Sequence, residues 1–357
     1  GSVYMGYAEA IMEAHTFNAQ GLHSGPNLLD YRIPTSKETP ELIAQIVESL
    51  DPGGPYGAKE AGEGPLHPIV PAIANAIADA VGIRLRRIPF TPDRVLAAIR
   101  DAFADAAPGV EVTVECNPTS LDRERAEALV AAGVGRLSVG LQSLDGERLA
   151  FLGRLHDADG GLRALEAALA AAPRASGDLI FGTPGLSPDA FAAELERVLA
   201  TGTRHVSAYA LTIEPGTQFG ELHKKGRLPM AKEDDVADTY ARIEALLEAR
   251  GLLHYEVSNY ATPGQEARHN LHYWRGGAYL GLGAGAVGCL ETPGGGARRW
   301  RNEPLPDRYV ARALAAGSPA SAAADTESAR VAAPLDLETE SEQLPPEARV
   351  REALMLG

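Results

Sequence analysis

Between residues 110 and 213 the chain alternates strand-like and helix-like stretches, and three of the four strand-like stretches carry a polar residue at or near their ends. Val110–Cys116 (VEVTVEC) ends at Glu115, Arg136–Leu144 (RLSVGLQSL) reads as a short parallel strand ending in Gln142, and Ser176–Phe181 carries Asp178. His205–Ile213 (HVSAYALTI) follows as the fourth. Strand–helix–strand alternation restricts the fold to a parallel α/β sheet or barrel. In a parallel barrel, polar residues at the carboxyl ends of strands line the active face. Glu115, Gln142 and Asp178 are therefore candidates for one shared site.

Helix signals fill the gaps between these strands. Thr119 or Ser120 is the expected cap of a helix over Asp122–Ala132, closed by Gly133. A short helix starts at Asp145, and another spans about Asp159–Ala171. Ser187 caps a helix with Pro188 at its first position. A longer helix covers about Glu233–Arg250, and HYEVSNYA (254–261) reads as a further strand. Before residue 105 the pattern is less regular. Residues 3–14 read as an amphipathic helix, LLDYRIPT (28–35) and Ile43–Leu50 as strands, and Asp51–Pro65 as a glycine-rich loop. Pro68–Val81 reads as a buried helix, and Thr91-Pro92 opens a helix over Asp93–Phe103. The run GGAYLGLGAGAVG (276–288) reads as close backbone packing, since an isolated glycine pattern is weak evidence for a nucleotide loop.

The chain's 357 residues suffice for one large α/β domain plus an appendage, or for two domains. A formal net charge of −15 argues against a nucleic-acid partner. There is no run of about 18 apolar residues, so no membrane span is expected. No basic-then-apolar leader opens the chain, which points to a cytoplasmic protein. The chain starts Gly-Ser rather than Met, as an excised fragment would. Its two cysteines, Cys116 and Cys289, cannot supply a disulfide framework or a cysteine-ligated cluster. Cys116, in a strand, reads as a small buried residue.

Residues from about 90 to the end resemble the HemW haem-chaperone branch of the oxygen-independent coproporphyrinogen III oxidase family, within the radical SAM enzymes. The blocks that carry the resemblance are VECNP, RLSVGLQSLD, LGRLH, DLIFGTPG, VSAYALTIEPGT, YEVSNYA, RHNLHYWRGGAYLGLGAGA and EALMLG. The resemblance implies a partial radical SAM (β/α) barrel that binds S-adenosylmethionine across its strand ends. Glu115, Gln142, Arg154 and Asp178 match the family's cofactor-contacting positions. Carboxylates suit ribose hydroxyls and an ammonium, and a guanidinium suits a carboxylate. His269, in the H-N-x-x-Y-W block, matches a histidine associated with haem, whose iron takes imidazole readily. His272 competes with it, and Tyr273 and Trp274 could pack on a porphyrin face. Small-molecule ligands, S-adenosylmethionine and haem or porphyrin, are thus implied, with a haem-acceptor protein as a further partner. The family's four-iron cluster needs C-x-x-x-C-x-x-C, which these 357 residues lack.

The first hundred residues resemble the end of the molybdenum hydroxylase large subunit, the xanthine dehydrogenase and aldehyde oxidase family. PNLLDYRIPTS, GPYGAKEAGEGPLHP and PAIANAIADAVGIRLRRIPFTPDRVLAAI carry this resemblance. It implies that Glu63 matches a catalytic base, although Gly64 stands where that family has proline and a molybdopterin is not expected in so short a piece. The implied organisation is a hydroxylase-like α+β segment over 1–100, a partial HemW-like barrel over 101–300, and a helical, partly low-complexity segment over 301–357, with residues 315–346 loosely ordered. The functional readings left open are a HemW-like haem- or cofactor-binding protein with impaired radical chemistry, a radical SAM enzyme with a cluster supplied otherwise, a hydroxylase remnant, and an inactive chimera.

Overall fold

The computed structural model describes the chain except residues 19, 24, 26, 28–30, 37, 44, 46–47, 60–61, 82–83, 103–108, 215–216, 306–307, 310–311, 313–337 and 357. Its contacts fall into two compact units, residues 106–277 with 355–357, and residues 1–105 with 278–354.

The 106–277 unit contains the expected alternation. In chain order it holds β1 (Thr113–Cys116), α4 (Arg123–Ala131), β2 (Arg136–Gln142), α5 (Gly146–Phe151), α6 (Ala158–Ala171), β3 (Arg174–Phe181), α7 (Pro188–Leu199) and β4 (His205–Ala210). It continues with α8 (Gln218–Lys224), α9 (Glu233–Ala249), β5 (Leu253–Glu256), β6 (Asn259–Ala261) and α10 (Arg268–Trp274). The helices before α4 belong to the other unit. Strands β1 to β4 are parallel neighbours in chain order. Strand β6 then pairs antiparallel with β4, and β5 with β6, giving the order β1-β2-β3-β4-β6-β5.

The two faces of this sheet differ in chemistry because successive strand residues point opposite ways. Leu137, Val139 and Leu141 of β2 are fully buried, as are Leu179 of β3 and Val206 of β4. The intervening positions are Arg136, Ser138, Gly140 and Gln142 on β2, Ser176 and Asp178 on β3, and His205, Ser207 and Tyr209 on β4. The apolar side packs on helices, with α6 against β2 and β3. The polar side faces a cleft.

Local signals set the helix starts. Asp122, Asp145, Asp157, Ser187 and Thr217 each accept a hydrogen bond from a backbone N–H of the first turn they precede. The first of these corrects the expected cap at Thr119 or Ser120. Residues Pro118–Ser120 form a 3-10 turn instead, and the carboxylate of Asp122 reaches Arg125 N at 2.8 Å. The single strand expected over 254–261 is two short strands, because the chain turns at Val257 and Ser258 and pairs β5 with β6.

In the other unit, α1 (Ser2–Ile11), α2 (Ile69–Val81) and α3 (Pro92–Ala102) confirm three expected helices. Helix α2 is not buried as its apolar, alanine-rich composition suggested. Residues 69–78 are half-buried or exposed, because one face packs on α1, where Gly6 lets Ile69 approach. The described residues of 31–35 and 43–50 form no strand; residues 28–30, 44, 46 and 47 of those stretches lie outside the described ones. Strands β7 (Val287–Glu291), β8 (Ala297–Asn302) and β9 (Glu338–Leu344) form an antiparallel sheet, followed by α11 (Pro346–Leu356). Within the stretch expected to be loosely ordered, residues 338–344 are therefore strand, while 313–337 lie outside the described residues. The glycine run at 276–288 is close packing: a Cβ on Gly281 would collide with the Val287 backbone, and one on Gly288 with the Trp300 ring.

Candidate functional site

The polar face of the 106–277 sheet lines a cleft of about 450 Å³. Glu115, Gln142, Arg154 and Asp178, the four positions singled out in the sequence, all line it. Asn117, Arg136, Ser138, Ser207, Tyr209 and Asn270 add to its polar wall.

Gln142 ends β2 with a left-handed backbone, φ +64°, where the pairing of β2 with β3 slips register. A non-glycine residue in this region is sterically costly and marks a constrained position. Its amide folds back over Gly140: a Cβ added there would stand 2.8 Å from Gln142 Nε2. Arg154 comes from the turn after α5. Its Nε is buried with no hydrogen-bond partner, and no carboxylate pairs with its guanidinium among the described residues.

Asp178 sits at the centre of a hydroxyl cradle. Ser138 Oγ donates to its Oδ2 at 2.8 Å, and Ser176 and Ser207 donate to Oδ1 at 2.8 and 2.7 Å. The three serines come from three adjacent strands, so register alone assembles the cradle. Burial pushes the Asp178 carboxyl above its usual pKa, while the serine hydroxyls and the Arg136 charge pull the other way.

Behind the cradle runs a buried chain of donors. Because Ser176 gives its proton to Asp178, its oxygen accepts from His205 Nδ1, 2.7 Å away. His205 Nε2 then accepts from the Tyr255 hydroxyl at 2.7 Å, and that oxygen accepts from Ala267 N at 3.1 Å. The tautomer follows from the network. Burial, reinforced by the Arg136 and Arg174 charges, drives His205 down to about 2, so the imidazole is neutral. Burial pushes Tyr255 up to about 12.

Ala267 precedes α10, and a second buried group pins that helix. Glu111 accepts from Arg268 N and His269 N, both at 3.2 Å, and pairs with Arg174 at 2.5 Å. Burial works to raise the Glu111 pKa, but the His269 N–H, the Arg174 guanidinium and the Arg268 N–H together hold it below the usual value. Arg174 also donates to the carbonyls of Gln265 and Glu266. Helix α10 thereby presents Asn270 to the cleft.

His269 does not line the cleft. It is exposed on α10, with Nε2 2.9 Å from the Tyr273 hydroxyl, and the two rings meet edge to face. His272 and Tyr273 are exposed too, and Trp274 is half-buried. Glu63 belongs to the other unit, exposed at the start of a 3-10 turn. Cys116, expected to be buried, is half-buried at the cleft. Its thiol is pushed up to about 11 by burial and by the Asp178 and Glu115 charges. Among the described residues no group of three or more His, Cys, Asp or Glu could hold a metal ion, and no helix is long and apolar enough to cross a membrane.

Sequence reasoning missed Arg136, the three serines, His205, Tyr255 and Glu111. A strict period-2 reading of Val110–Cys116 would have put Glu111 on the face of Glu115. The others have no local signature.

Comparison with known proteins follows the same lines. Residues 62–198 match the model of the radical SAM superfamily. The chain is 39% identical over 217 residues to the haem chaperone HemW of Mycobacterium tuberculosis (strain CDC 1551 / Oshkosh), covering 60% of this chain and 54% of that protein. It is 40% identical over 226 residues to the mitochondrial radical S-adenosyl methionine domain-containing protein 1 of Mus musculus, covering 62% and 51%. The coproporphyrinogen III oxidase HemN of Escherichia coli, a radical SAM enzyme, superimposes with a TM-score of 0.51 at 17% identity, covering 74% of each chain. That likeness is one of fold. The chain spans about half the length of the curated relatives it matches.

Proposed function

We propose, from the likeness to HemW and to the radical SAM superfamily, that the 106–277 cleft binds S-adenosylmethionine and that the protein serves haem or porphyrin metabolism. The observation that carries the cofactor reading is the unpaired Arg154, with its buried Nε, facing a cleft that also holds Glu115, Gln142 and Asp178. This is a receptor for a zwitterion that bears an extra cation. The Arg154 guanidinium would take the methionyl carboxylate as a fork. Glu115 and Asp178 would take the ammonium and ribose hydroxyls, and the Gln142 amide, aimed by its backbone over Gly140, would supply a further polar contact. When bound, the cofactor supplies a sulfonium whose cleavage yields a carbon radical.

The chain's own residues bind and orient; they do not fit the four-iron cluster that would reduce the sulfonium. That cluster needs three clustered thiolates, whereas Cys116 is held as a thiol and Cys289 lies in the other unit. Within these residues the proposed function is that of a ligand-holding cleft. Isothermal titration with S-adenosylmethionine tests the reading. Arg154→Ala should weaken binding at least tenfold, and an unchanged affinity would refute it.

A second observation favours haem at α10. His269 is exposed, and its helix start is fixed by Glu111, so the imidazole is presented on a firm base. Haem titration should produce a Soret band shift that His269→Ala abolishes and His272→Ala leaves intact. The hydroxylase-like role of Glu63 finds no comparable support, since that carboxylate is exposed in a short turn.

A further inference from the structure

Four arginines of the 106–277 unit, Arg136, Arg148, Arg154 and Arg174, are set into the protein around the sheet, and two of these are matched by carboxylates. Arg148 pairs with Glu194, and Arg174 with Glu111. Of the other two, Arg136 is the more deeply placed, only 5% exposed, and among the described residues no carboxylate pairs with it. Its Nε is buried without any partner. Its Nη2 makes only a long contact, 3.4 Å, with His205 Nδ1, a nitrogen that also lies 2.7 Å from Ser176 Oγ. A buried guanidinium nitrogen with no acceptor is costly.

The guanidinium lines the cleft. Along the strands the charges are layered. Arg136 opens β2 at the amino-terminal floor, opposite Thr113. Glu115 is level with Ser138, and Asp178 follows Gly177, which is level with Val139. Gln142 closes β2 at the rim, with Arg154 beyond it. Gln142 lies six steps along β2 from Arg136, roughly 20 Å of strand at about 3.3 Å per residue. The floor cation and the rim cation thus serve different groups. Asp178 attracts the Arg136 charge through space, but its oxygens are engaged by serine hydroxyls, and among the described residues it forms no ion pair with Arg136.

We propose that the floor of the cleft is a receptor for a second carboxylate group, held by the Arg136 guanidinium. The group is a carboxylate because the guanidinium fork matches its two oxygens, and because an apolar or cationic group there would leave the buried Nε without an acceptor. The site stands independently of cofactor binding at Arg154. It would take a carboxylate carried by a bound substrate, or the acid side chain of a larger ligand whose other end reaches the rim.

The test uses the whole chain, with propionate and succinate as probes at constant ionic strength. Wild type should melt higher with either acid. Arg136→Met should melt about 3 °C higher than wild type without ligand, as relief of an unpaired buried charge predicts, and should lose the acid-dependent shift. Arg136→Lys should retain part of it, and Arg154→Met all of it. Should Arg136→Met fail to fold, saturable binding of carbon-13-labelled propionate to wild type, at least fivefold weaker in Arg136→Lys, would support the proposal in its place. No saturable binding to wild type, or a shift lost with Arg154→Met but kept without Arg136, would overturn the proposal. S-adenosylmethionine titration of the same variants reports separately on the rim, so the two readings fail independently.

Discussion

His205 Nε2 accepts a hydrogen bond from the Tyr255 hydroxyl at 2.7 Å, joining a residue at the start of β4 to one in β5 across the antiparallel end of the sheet. Through Ser176 the same imidazole holds Asp178, and through Tyr255 it reaches the backbone ahead of α10. The cleft carboxylate and the helix that carries Asn270 and His269 are thus tied by one buried chain of donors.

Removing the middle of that chain should cost stability. Tyr255→Phe keeps the ring but leaves both His205 Nε2 and Ala267 N without their partner. Each orphaned buried group costs about 1–3 kcal/mol. Urea unfolding should show a drop of about 2–6 kcal/mol, with an unchanged denaturant slope.

The buried histidine also makes stability depend on pH. Its folded pKa, about 2, lies below the ordinary histidine value of about 6.5. Below pH 6.5 the unfolded chain takes up a proton that the folded one refuses, so the stabilisation is full above 6.5 and falls as pH drops. Between about pH 6 and 5, His205 should add a slope approaching 1.4 kcal/mol per pH unit. His205→Gln should lose that component, which paired urea titrations at the two pH values would measure. Equal slopes in the two proteins would contradict a neutral buried imidazole.

Glu111 is expected to govern the order of α10. Glu111→Ala strips a half-buried Arg174 of its carboxylate and frees the N–H groups of Arg268 and His269. Breaking such a pair costs about 3 kcal/mol or more. Amide exchange over 268–274 should accelerate more than exchange in β2, and any haem-dependent Soret shift should weaken with it.

Gly140 is expected to matter for ligand affinity more than for stability. In Gly140→Ala the new methyl meets Gln142 Nε2 at 2.8 Å, and the flexible amide must swing away. Affinity for S-adenosylmethionine should fall about tenfold, about 1.4 kcal/mol, with a melting temperature close to wild type. A large loss of stability with intact affinity would show that the amide has no part in binding.

The alternation of strands and helices from 110 to 261, the helix starts at Asp145 and Ser187, and the convergence of Glu115, Gln142 and Asp178 were legible in the linear sequence. Each rests on a short period or a local cap, and parallel strands bring their carboxyl ends together; Arg154 came only from the family resemblance. The pairing of Arg174 with Glu111, the serine cradle around Asp178 and the His205–Tyr255 bond were not legible. They join residues 29 to 63 positions apart in most cases, and the register of strand on strand decides them. A shift of one residue would turn every one of these side chains to the helix-covered face. Only the assembled sheet could reveal that, among the described residues, no carboxylate forms an ion pair with Arg136, because ion pairing is a property of surroundings and not of any motif.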